Sequence, residues 1–74
     1  MRKAEFLKEL EASLSGEIPA GAVSENLRYY DNYISQEVAG GRSEAEVIEE
    51  IGSPRLIAKT IIDTSGAGEY ESQE

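Results

Sequence analysis

With 74 residues, no cysteine and no histidine, this chain is one domain with no disulfide, and it lacks the ligands and nucleophiles of zinc, haem and thiol–imidazole chemistry. Its stability rests on an apolar core, and at this size such a core contributes only about 3–5 kcal/mol net. Seven basic against fifteen acidic residues give a net charge of −8, a field that repels phosphate backbones and anionic lipid.

The opening Met1-Arg2-Lys3-Ala4-Glu5-Phe6 is basic but runs straight into charges, so it does not read as a signal peptide. Apolar runs throughout are far shorter than the ~20 residues needed to cross a bilayer. The expected location is cytoplasmic. Phe6, Leu7, Leu10 and Leu14 recur at helical spacing while Lys3, Glu5, Lys8, Glu9 and Glu11 turn to water, which predicts an amphipathic first helix. Ser15-Gly16 closes it.

The second helix has two candidate starts. Pro19 suits a first helical turn, and Ser24 could serve as a later N-cap. From Val23 onward the pattern is clear: Val23, Leu27, Tyr30, Ile34 and Val38 form one stripe, ended by Gly40-Gly41. Ser43-Glu44-Ala45-Glu46 is a capping box, in which the serine caps the backbone and Glu46 reaches back. It opens a helix of about two turns that buries Val47, Ile48 and Ile51 and stops at Gly52. Ser53-Pro54 starts a fourth helix, serine as N-cap and proline first, with Ile57, Ala58, Ile61 and Ile62 on one face and Leu56 nearly opposite. Residues 64–74 are rich in Gly, Ser and Glu, and their composition predicts a disordered acidic tail after a folded body over 1–63. The expected fold is all-α: a compact four-helix unit, two longer helices followed by two short ones.

Glu44, Glu46, Glu49 and Glu50 are the densest carboxylates, but they fall off the apolar face and read as a solvated surface rather than an acid–base pair. Asp31-Asn32 lacks the alternating ligands and central glycine of a calcium loop, and no glycine pair has phosphate-loop spacing. No catalytic residue, metal or cofactor is expected. A helix–turn–helix reading of residues 44–62 is the alternative, a small DNA-binding regulator. It suffers from the shortened Gly52-Ser53-Pro54 turn and from a fourth helix offering only Arg55 and Lys59 to phosphate.

Three tyrosines are the most distinctive residues. Tyr30 belongs to the core stripe, whereas Tyr29 lies ~140° and Tyr33 ~100° from the stripe's centre. Tyr29 is expected to be exposed and Tyr33 to sit at a boundary. Exposed aromatics favour protein interfaces. Leu56, apolar on a polar face, marks either contact with the first helix or a partner site, so Tyr29, Tyr33 and Leu56 are the candidate partner contacts.

Asn26-Leu27-Arg28-Tyr29-Tyr30-Asp31-Asn32-Tyr33-Ile34, Gly41-Arg42-Ser43-Glu44, Ile51-Gly52-Ser53-Pro54 and Ile57-Ala58 stand in the order and spacing that resemble the bacterial HAAS-type domain. Phe6-Leu7-Lys8-Glu9-Leu10 and the Ile18-Pro19 step resemble that family's N-terminal part, so the likeness covers roughly residues 3–63. Leu56 departs from the pattern, since a polar residue is more usual there. The resemblance implies a cytoplasmic helical domain that precedes transmembrane helices in proteins often encoded beside PadR-like transcriptional regulators. It implies signalling through protein contacts and supplies no catalytic residues. The expected partner is therefore a protein, a PadR-like regulator or a second copy in a homodimer. Nucleic acid is not expected, and the membrane enters only through a downstream segment beyond Glu74. The chain is thus expected to be a soluble fragment of a longer protein or a shortened member.

Overall fold

The computed structural model describes residues 1–71, and the side chains of residues 1–64. Four helices follow one another: α1 (Lys3–Leu14), α2 (Ala20–Ala39), α3 (Glu44–Ile51) and α4 (Pro54–Glu71). The described part of the chain is all-α, as its periodicity predicts.

Local chemistry sets the boundaries. Glu5 accepts a hydrogen bond from the Arg2 backbone N–H at 3.1 Å and so steadies the first turn of α1. Pro19 is the N-cap of α2, which decides between the two candidate starts: the helix begins at Ala20, and Ser24 lies within it. The capping box of α3 forms as expected. Ser43 Oγ accepts from the Glu46 N–H at 3.1 Å, and Glu46 accepts from the Ser43 N–H at 3.4 Å. Gly41 (φ +111°) and Gly52 (φ +110°) bracket this short helix in backbone conformations that side-chain-bearing residues rarely adopt. Pro54 takes the first position of α4, where its missing N–H leaves no helical bond unmade.

The fourth helix runs to Glu71, beyond the end at residue 63 that the composition of 64–74 suggested. No proline interrupts 64–71, so the backbone bond ladder has no steric stop there. Of the tail expected over 64–74, residues 72–74 lie outside the described residues, and so do the side chains from 65 onward.

The core is small and centred on α1. Phe6, Leu10 and Leu14 have no exposure at all, and Val23, Ile34, Val47, Ile48 and Ala58 close around them. Each fully buried side chain of this kind stabilises the fold by about 1.5–3 kcal/mol in transfer terms. α1 packs against all three other helices and α2 also packs against α3. Among the described residues the backbone of α4 comes close to that of α1 and not to those of α2 or α3. Around the buried centre, Leu27, Tyr30, Tyr33, Ile51, Ile57 and Ile61 are only half-buried. No helix among the described residues is long and apolar enough to cross a membrane.

Candidate interaction surface

The tyrosines take the positions their helical spacing gives them. Tyr30 points inward, its ring centroid 5.9 Å from that of buried Phe6 at a tilt of 58°. Tyr29, one residue earlier, turns away from the core and is 62% exposed. The two rings meet edge to face, centroids 4.9 Å apart at 89°, an arrangement in which the positive edge of one ring faces the negative face of the other. Burial raises the Tyr30 hydroxyl above the ordinary tyrosine range, with the Tyr29 phenol adding to the effect. Tyr33 is half-buried and packs against the core margin. The exposed aromatic surface of α2 is therefore mainly Tyr29, held in place by Tyr30 beneath it.

Leu56 is 63% exposed. Of its two sequence readings, contact with the first helix is not favoured: Leu56 lies about 160° around α4 from buried Ala58, on the side away from the core. Tyr29 and Leu56 belong to helices whose backbones do not come close among the described residues, so the candidate residues form two separate exposures rather than one cluster.

Two apolar exposures escaped the pattern. Val38 belongs to the α2 stripe by spacing yet is 37% exposed. The reason is length: at 1.5 Å per residue the 20 residues of α2 outrun the 12 of α1 by about 12 Å, so the last turn has little to pack on. Met1, 47% exposed, lies beside a shallow concavity of about 450 Å³ with Glu9, Ala45, Ile48, Glu49 and Pro54.

The carboxylates are structural where they make contacts. Glu44, expected to lie on a solvated face, is half-buried: its Oε1 accepts from the Lys3 backbone N–H at 2.8 Å and so caps α1 from the start of α3. The spacing of Glu44 within its own helix gives no hint of a bond across 41 residues. Lys3 also ties α1 to α2, its Nζ lying 2.9 Å from Asp31 Oδ1 and donating to Ser35 Oγ at 3.0 Å. The Lys3 hydrogen bond, its charge and the Ser35 hydroxyl together hold the Asp31 carboxyl below its usual range, against an opposing effect of burial. Arg42 Nη1 bridges Glu50 at 2.8 Å and Glu37 at 3.1 Å, linking the end of α2 to α3, and both bonds raise its already high pKa. Among the described residues no buried side-chain polar atom lacks a partner, and no three acidic groups converge as a cation cage would require.

No curated protein and no solved structure matches the chain. The HAAS family model does, over residues 5–60, from the first buried turn of α1 through the contact of α4 with it. That span holds every side chain of the fully buried core, the Gly-x-Ser-Glu cap and the Ile-Gly-Ser-Pro turn, and on this match the chain belongs to the HAAS family.

Proposed function

We propose that this HAAS domain is a non-enzymatic interaction module, the cytoplasmic part of a membrane-associated bacterial regulatory protein that signals through protein contacts. The observation that carries the reading is the pair of large apolar exposures, Tyr29 and Leu56, on a chain whose net charge of −8 otherwise keeps its surface hydrated. Tyr29 combines a rigid apolar body with a hydroxyl that stays in water, the composition protein interfaces favour. Every buried polar side-chain atom among the described residues is already satisfied within the fold, which leaves the surface as the place where the domain acts. The partner in this reading is a protein, a PadR-like regulator encoded nearby or a second copy of the chain.

Titration of the isotopically labelled domain with the purified neighbouring regulator tests this directly. Amide shifts are expected to move around Tyr29 and Tyr33, and around Leu56. If none of these moves while the regulator binds, those residues leave the proposal. If no regulator binds at all, the regulatory partner leaves it too.

The helix–turn–helix alternative has less support. A DNA-reading pair needs its two helices packed closely on each other, and among the described residues the backbones of α3 and α4 make no close approach. Fluorescence anisotropy with duplex DNA at low salt, where phosphate contacts are strongest, is the cheap check.

A further inference from the structure

We draw no further inference here: the strongest candidate, the shallow apolar concavity where Met1, Ala45, Ile48 and Pro54 meet, carries none, because Arg2 and Arg55 in the recesses beside it offset its rim carboxylates Glu9 and Glu49 and nothing in the structure shows what covers it.

Discussion

Leu10 shows how little reserve the fold has. It has no exposure, sits near the centre of α1 and belongs to the one core cluster among the described residues. Leu10→Ala is expected to cost about 2–5 kcal/mol, as much as the whole net stability of a domain this size, so the variant should be largely unfolded by circular dichroism at room temperature. Tyr29→Ala is the counterpart, a surface change expected to stay within about 0.5 kcal/mol in urea unfolding while removing the proposed contact. Asp31 gives the residue scale its pH dependence. Its carboxyl is held below the ordinary range in the folded state, so its contribution is present above the unfolded-state value and is lost as pH falls through the folded one. Asp31→Asn should therefore flatten the acid limb of a stability–pH curve, and an unchanged limb would show that the Lys3 contact contributes nothing to acid stability.

Among the elements, α3 depends most on its ends. Eight residues are too few for a helix to persist on propensity, and this one is set between two left-handed glycines. Ser43→Ala removes the oxygen that accepts the Glu46 N–H and should cost about 0.5–2 kcal/mol, with the amides of the first turn of α3 exchanging faster than those of α1. Gly52→Ala acts at the other end. At φ +110° and ψ −172° the backbone sits where only glycine is at ease, yet an added Cβ would meet nothing within 4 Å. The expected loss of about 1–3 kcal/mol in denaturant unfolding is therefore backbone strain alone, and a neutral result would mean that the turn relaxes freely.

For the molecule as a whole, the imbalance of fifteen acids against seven bases outweighs the ion pairs. The pairs of Lys3, Arg42 and Lys59 are partly exposed or exposed, and such pairs contribute only about 0–1 kcal/mol each. The repulsion acts over the entire chain. Added sodium chloride should therefore raise the melting temperature at neutral pH, because screening relieves more repulsion than attraction. A fall in melting temperature would mean that the Lys3–Asp31 and Arg42–Glu50 contacts dominate instead.

The chain's own pattern determined the helices, because their signals are local. Stripes at helical spacing, the Ser43–Glu46 box and the Gly52-Ser53-Pro54 stop each act within a turn or two of backbone, and the exposure of Tyr29 and burial of Tyr30 follow from 100° of rotation between neighbours. Helix phase shows that Leu56 faces away from its own apolar side. It does not show whether another helix lies there, and only the tertiary structure answered that by leaving Leu56 63% exposed. Glu44 capping α1 across 41 residues and the overhang that uncovers Val38 depend on how elements of unequal length lie on one another. Those relations arise from three-dimensional packing, and periodicity within a single helix carries no record of them.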